Sequence, residues 1–262
     1  MVTDPPTRIV DAQRWPDKSI VVIIIIMKAD DASVGHVLGR REVLALLGLS
    51  SVALAAGRAL AQQPGRPVPA CVARPQQTEG PYFVDEKLDR SDIRSDPTTG
   101  EARPGTVLDL AFNVSRLGGG ACTPLAGARV DVWHCDALGA YSDVQDPGGS
   151  TVGRKFLRGY QTTSTAGLAR FTTIYPGHYQ GRAVHIHFKI RTAQGQEFTS
   201  QIYFDDAVND RVYALEPYAQ RGQRRLRNEG DGLFRHGGRQ LLVVPTPSGP
   251  GYAATFDVAL SL

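Results

Sequence analysis

Cysteine is scarce in this chain: three among 262 residues, with no CxxC pair, which argues against a zinc–thiolate site of the usual spacing. No block of like charge occurs. The 29 Lys and Arg residues stand against 26 Asp and Glu, scattered along the chain, for a formal net charge of +3. Composition therefore gives no push toward nucleic acid or acidic partners. There is no internal repeat and no low-complexity linker. Apolar runs long enough to span a bilayer are also missing: Ile20 to Met27 is too short, and the stretch from Val43 to Leu60 is interrupted by Gly48, Gly57 and Arg58. What is plentiful is glycine (28) and proline (17), which suits strands and turns more than a helical bundle.

An odd cysteine count in an exported protein allows one disulfide and leaves one thiol. Cys71 and Cys122 each lie beside turn residues, outside a strongly patterned strand, so they are the expected pair and Cys135 the free thiol.

Arg40-Arg41 precedes the apolar stretch 43–60, which ends in Ala59-Leu60-Ala61 before Gln62. Paired arginine, apolar core and small-x-small cleavage pattern together read as a twin-arginine export signal. Residues 1–61 are thus expected to be a leader, residues 62–262 a single catalytic domain, and the mature product periplasmic or extracellular. The aliphatic run before Met27 fits this leader badly, so translation is expected to start at Met27.

From Gln62 onward, short alternating segments are separated by turn clusters. In 107–114, Leu108, Leu110, Phe112 and Val114 share one face; in 128–135, Ala128, Val130 and Val132 do. Further strands are expected over 168–174, 183–191, 198–204, 240–244 and 254–260, and the turns include Gly118-Gly119-Gly120, Pro147-Gly148-Gly149 and Pro176-Gly177. This pattern predicts an all-β antiparallel sandwich with long active-site loops and little helix. Segment 207–228 is charged and alternates less; it reads as a surface excursion with a short helical piece.

The most chemically loaded segment is Ala183 to Ile190. Val184, Ile186, Phe188 and Ile190 form an apolar face, and His185 and His187 lie together on the other, because residues two apart on a strand point the same way. Two imidazoles on a rigid element suit a metal; they also suit the solvent face of a half-buried strand. No cysteine or carboxylate stands nearby between Tyr175 and Arg191, so a zinc hydrolase or a two-His-one-carboxylate site has no local third ligand. Phenols are close instead. A phenolate is a hard anionic donor suited to ferric iron, and since the free phenol titrates near pH 10, the metal must drive its ionisation.

These residues fall into an ordered set. Arg129-Val130-Asp131-Val132-Trp133-His134-Cys135-Asp136 followed by Gly139-Ala140-Tyr141, then Phe156 to Thr162 and Thr172 to Tyr179, then Arg182 with His185-Ile186-His187-Phe188, together resemble the iron-ligand segments of the intradiol ring-cleavage dioxygenases. Thr78-Glu79-Gly80-Pro81-Tyr82 resembles a segment near the active-site entrance of that family. The similarity runs from about Thr78 to Phe204 and is nearest to the exported, single-chain subgroup related to protocatechuate dioxygenase. The loop from Tyr179 to His185 is shorter than in the best-known protocatechuate enzymes and lacks the Trp often found after the tyrosine.

The resemblance implies a non-haem Fe(III) enzyme that uses O2 to cleave a catechol between its hydroxylated carbons, giving a muconate-type diacid. It implies Tyr141 and His187 as equatorial ligands and Tyr179 and His185 as axial ones, with Tyr179 doubling as general base. Arg182 would lie over the substrate and stabilise negative charge on its ring, and Gln201 matches a glutamine near the substrate. Strand parity alone puts Arg182 on the Ile186 face, so a bend at the strand start is required. The expected partners are a catecholic small molecule and O2, with no nucleic acid and no stable membrane span; a homo-oligomer is allowed. His134, Trp133, Tyr160 and Tyr175 are expected to be structural, and His178 and His236 to be exposed on turns. The competing classes are an exported sandwich that binds without catalysis and a two-His-one-carboxylate iron oxygenase.

Overall fold

The computed structural model describes residues 71–118, 121–146, 149–222, 224 and 226–262. The twin-arginine pattern, the cleavage pattern and Met27 lie outside the described residues. The order is β1 (Val107–Gly118), β2 (Ala121–Pro124), β3 (Arg129–Trp133), β4 (Gln145–Asp146), β5 (Gly149–Ser150), β6 (Arg158–Thr162), β7 (Leu168–Ile174), β8 (His185–Arg191), β9 (Glu197–Phe204), helix α1 (Asp206–Tyr213), helix α2 (Gly232–Arg235), β10 (Leu242–Val243), β11 (Thr246–Ser248) and β12 (Gly251–Ser261), with 3₁₀ turns at Tyr218–Arg221, Asn228–Gly230 and Gly238–Leu241.

Two sheets make the expected β-sandwich. One runs β11-β12-β1-β2, with β7 also paired to β1; the other runs β10-β9-β8-β3-β6, and β4 with β5 forms a small hairpin. Most pairs are antiparallel, but β1 with β12 and β9 with β10 run parallel. The alternation of β1 is realised: Leu108, Leu110, Phe112 and Val114 are all buried. They meet Val130, Val132, Ile186, Phe188 and Ile190 in one core. Phe112 bridges the layers to Phe188, with ring centroids 5.3 Å apart, and lies 6.1 Å from Phe256 of its own sheet. Each such fully buried side chain contributes about 1.5–3 kcal/mol.

The antiparallel register of the second sheet sets a row across its other face. Trp133 stands opposite His187, and His187 opposite Gln201; His185 stands opposite Tyr203. Residues 78–86 lie across this face. Glu79 pairs with Lys189, Phe83 packs on Trp133 with centroids 4.7 Å apart, and Asp85 bonds Arg129 at 2.7 Å and Arg191 at 3.0 Å. A face that would otherwise meet water is thereby closed.

Helix α1 is capped by Asp205, whose carboxylate accepts from the Ala207 N–H at 2.8 Å. It buries Val208, Asn209, Val212 and Tyr213. The excursion also pins the turn before Tyr179: Tyr213 donates to the Pro176 carbonyl at 3.0 Å, Tyr218 to the Tyr175 carbonyl at 2.7 Å, and Tyr175 to Asn209 at 2.7 Å. The expected Cys71–Cys122 disulfide is present, with Cα atoms 5.5 Å apart, and Cys135 is a buried free thiol.

Candidate metal centre

Four side chains that the sequence singles out converge on one place. His185 and His187 project together from β8, and their Nε2 atoms are 3.0 Å apart. The Tyr141 hydroxyl lies 3.5 Å from Nε2 of His185, and the Tyr179 ring lies 5.5 Å from the His185 ring. The rings of Tyr141 and Tyr179 meet edge to face at 5.5 Å. Both histidines are buried, 2 % and 1 % exposed, so the alternative of a solvent-facing pair does not hold.

Local structure aims each donor. Asp136 shapes the turn into Tyr141 by accepting from the N–H groups of Leu138 and Ala140 at 3.0 and 2.9 Å. Nδ1–H of His185 donates to the Ala183 carbonyl at 2.7 Å, which leaves the lone pair on Nε2. His187 stacks on Trp133, centroids 5.0 Å apart and planes 8° from parallel; its Nδ1 is buried without a partner. Tyr82 stacks on Tyr141 at 4.4 Å. Gly80 adopts φ +73°, a left-handed conformation that favours glycine, and a Cβ there would sit 3.4 Å from Cε1 of His187.

Burial governs the protonation of the donors. It lowers His185 to about 3, with Arg182 adding repulsion, and holds His187 well below the ordinary value, so both imidazoles are neutral lone-pair donors. Burial raises Tyr141 well above an ordinary phenol and Tyr179 to about 12, against the opposing pull of Arg182. Two protonated phenols and two neutral imidazoles in a dry pocket are a donor set that only a strongly charged cation would ionise.

Arg182 precedes the strand. A turn at Gln180–Gly181 and a bend at Val184 lie between it and Tyr179 on one side and His185 on the other, so strand parity does not apply and its guanidinium reaches the histidine face. Nη1 is 3.2 Å from the Tyr179 hydroxyl and 3.4 Å from Nε2 of His185. Nη2 donates to Oε1 of Gln201 at 2.5 Å and to the Tyr203 hydroxyl at 3.2 Å, and Nε donates to Asp231 at 2.9 Å. Gln201 is fully buried and donates to the Thr78 carbonyl at 3.1 Å. Its amide is therefore spent on Arg182 and the 78–86 segment.

His134 is structural as expected, bonded to the Cys135 carbonyl at 2.8 Å and to Thr173 at 2.7 Å. His178 departs from the expected turn exposure: it is half-buried, its Nδ1 is unpartnered, and its ring lies 5.2 Å from Tyr213, because α1 packs over the turn. His236 is exposed, as expected. Sequence reading missed Tyr203 and Asp231. Tyr203 shares the face of Gln201 two residues on and was open to the same parity argument. Asp231 carries no local signal that ties it to Arg182. A cleft of about 580 Å³ opens at Tyr141 and Tyr179, lined also by Tyr82, Asp146, Thr151 and Arg221.

Among the described residues, no group of three or more His, Cys, Asp or Glu is placed to hold a metal ion; at this His pair the additional donors are phenols. No helix among the described residues is long and apolar enough to cross a membrane.

Residues 78–232 match a family model described as dioxygenase. A chlorocatechol 1,2-dioxygenase from Pseudomonas putida is 31% identical over 149 residues, covering 48% of this chain and 52% of that protein. The chain spans about half the length of the curated relatives it matches. Among solved structures, an intradiol ring-cleavage dioxygenase from Tetranychus urticae superposes with a TM-score of 0.66 at 32% identity, over 73% of this chain and 95% of that one. The dioxygenase domain of a dioxygenase carbohydrate-binding protein fusion from Streptomyces sp. SirexAA-E gives 0.51 at 31% identity, over 72% and 99%.

Proposed function

The chain belongs to the intradiol ring-cleavage dioxygenase family, and on that footing we propose that it is an Fe(III)-dependent enzyme that opens a catechol ring between its two hydroxylated carbons with O2, yielding a muconate-type diacid. The observation that carries this reading is the Tyr141 hydroxyl beside the paired Nε2 atoms of His185 and His187, with the Tyr179 ring against those of Tyr141 and His185. These four residues would hold the iron. Ferric iron bound there supplies the Lewis acidity and electron transfer that make a catecholate ring reactive toward O2.

The chain's own groups supply the rest. Both tyrosines border the cleft, but Tyr179 is only half-buried whereas Tyr141 is 1 % exposed. Tyr179 is therefore the phenol free to leave its place and take a proton from an incoming catechol hydroxyl. Arg182 contacts the Tyr179 oxygen and carries a permanent charge. It stabilises the phenolate at rest and anionic charge on the substrate ring during reaction, without a proton transfer of its own. Gln201 and Tyr203 hold the far side of the guanidinium. Trp133, Phe83 and the 78–86 segment exclude water from the histidines, which strengthens every charge interaction inside.

The substrate is proposed only as a 1,2-dihydroxybenzene, and the cleft at Tyr82, Thr151 and Arg221 is where its ring substituents would lie. Export by the twin-arginine route is supported by Arg40-Arg41, the apolar stretch and Ala59-Leu60-Ala61. A disulfide in the mature domain fits an oxidising compartment. The N-terminal mass of the secreted protein tests this; a product retaining Arg40 would reject it.

The visible spectrum of the iron-loaded protein, before and after anaerobic catechol, tests the site. A broad tyrosinate-to-iron band that moves to longer wavelength with catechol is expected. A colourless protein with iron verified present would sink the two-tyrosine centre.

A further inference from the structure

Asp231 lies 49 residues beyond Arg182 and is 1 % exposed. Its two oxygens have different tasks. Oδ1 accepts from the Leu233 N–H at 2.7 Å and the Phe234 N–H at 3.4 Å, which caps α2. Oδ2 accepts from Nε of Arg182 at 2.9 Å and from the Ala183 N–H at 2.8 Å. A helix cap needs one oxygen; the other is turned to the site. The Ala183 N–H belongs to the Arg182–Ala183 peptide, so the same oxygen ties down both the backbone and the side chain of Arg182.

We propose that Asp231 is a positioning residue for ring cleavage: it holds the Arg182 guanidinium over the four-donor cluster. The proposal rests on the reading of Arg182 as the partner of anionic charge on the substrate. The geometry requires such an anchor. A guanidinium whose Nε is tied to a buried carboxylate has its plane fixed, so that Nη1 faces Tyr179 and Nη2 faces Gln201 and Tyr203. Without the carboxylate, the charge loses the one ion-pair partner it has among the described residues. Although burial opposes both charges, the Ala183 N–H and Arg182 hold Asp231 below the usual carboxylate range, and Tyr179 and Asp231 hold Arg182 above its ordinary value.

Asp231→Ser separates the two tasks, since a serine hydroxyl still caps α2 but is too short to serve Arg182. In the iron-loaded enzyme it is expected to lower kcat about ten- to a hundredfold, at a Tm near that of the parent. In crystal structures of the variant, the guanidinium is expected to have left Gln201 and Tyr203. In an Arg182→Met background, the same substitution should cost less than about twofold, because positioning acts through a group already removed. Should Asp231→Ser not fold, Asp231→Asn keeps the shape and a capping oxygen while turning an amide N–H2 toward Arg182, and carries the same expectations. A guanidinium still seated on Gln201 and Tyr203 with parental kcat, or an equal loss in both backgrounds, would overturn the proposal. A parental rate for Arg182→Met alone would instead overturn the reading of Arg182, and the proposal with it.

Discussion

The imidazole of His187 lies flat on the indole of Trp133, with planes 8° from parallel and centroids 5.0 Å apart. Strand pairing places the two residues directly opposite each other, so one histidine is oriented by a cross-strand neighbour and the other, His185, by a backbone carbonyl.

Trp133→Ala should therefore weaken the protein in two ways. Loss of a buried indole costs about 3–5 kcal/mol, readable as a lower denaturant midpoint at unchanged slope. Loss of the stacking surface frees the His187 ring and should weaken iron binding about tenfold, in line with other outer-shell changes. Competition with a chelator measures this; iron affinity equal to the parent's would show that stacking does not orient His187.

The two tyrosines should respond differently to removal of their hydroxyls. Tyr179→Phe is expected to retain iron with a shifted visible band and to lose turnover by about a hundredfold or more. Tyr141→Phe is expected to retain less iron, since its ring is sealed under Tyr82 with no other donor to replace it. Metal content and stopped-flow turnover decide the matter, and unchanged turnover in Tyr179→Phe would remove it from the mechanism.

Acid sensitivity is expected to reside partly in Asp96. Burial opposes its charge. The N–H groups of Lys155 and Thr98, both at 2.9 Å, and Arg154 at 3.0 Å outweigh it and bring the pKa from 3.8 to about 2. A depressed carboxylate contributes stability that is complete above its unfolded pKa and fades as pH falls toward the folded one. Asp96→Asn should thus be less stable than the parent at neutral pH, and the gap should narrow between about pH 4 and pH 2. Chemical denaturation at stepped pH measures it; a gap constant with pH would contradict the assignment.

The Cys71–Cys122 bridge closes a sequence separation of 51 residues. Loop entropy assigns such a closure about 4 kcal/mol. Cys122→Ser should lower the denaturant midpoint accordingly. It should also loosen the chain leading to Gln77, whose Oε1 accepts from the Tyr203 hydroxyl at 2.9 Å. Limited proteolysis near residues 71–77 should rise in the variant; an unchanged digestion pattern would show that Gln77 and Arg74, whose Nε donates to the Asp257 carbonyl at 2.8 Å, hold the segment alone.

The sandwich was legible wherever apolar residues alternate with polar ones along a strand, even in β8, where both faces are buried. Strands β1, β3, β7, β8, β9 and β12 were all anticipated. Strands β2 and β6 lack that contrast: β2 has almost no buried residue, and β6 shades from buried to exposed. The expected strand over 240–244 shrank to Leu242–Val243 because a 3₁₀ turn takes Gly238–Leu241. The segment 207–228 looked like a surface excursion because its charges hide the few side chains of α1 and the following turn that hold Tyr175, Pro176 and so Tyr179 in place.

The sequence by itself determined what is local. A backbone period of two fixes which side chains share a strand face, so His185 and His187 had to project together, and the chemistry of imidazole and phenol limits what they can hold. The tertiary structure decided what is distant. It brought Tyr141 and Tyr179 onto that face, laid residues 78–86 across it, and set Asp231 behind Arg182. These contacts come from strand register and packing between segments far apart in the chain, and local spacing carries no information about either.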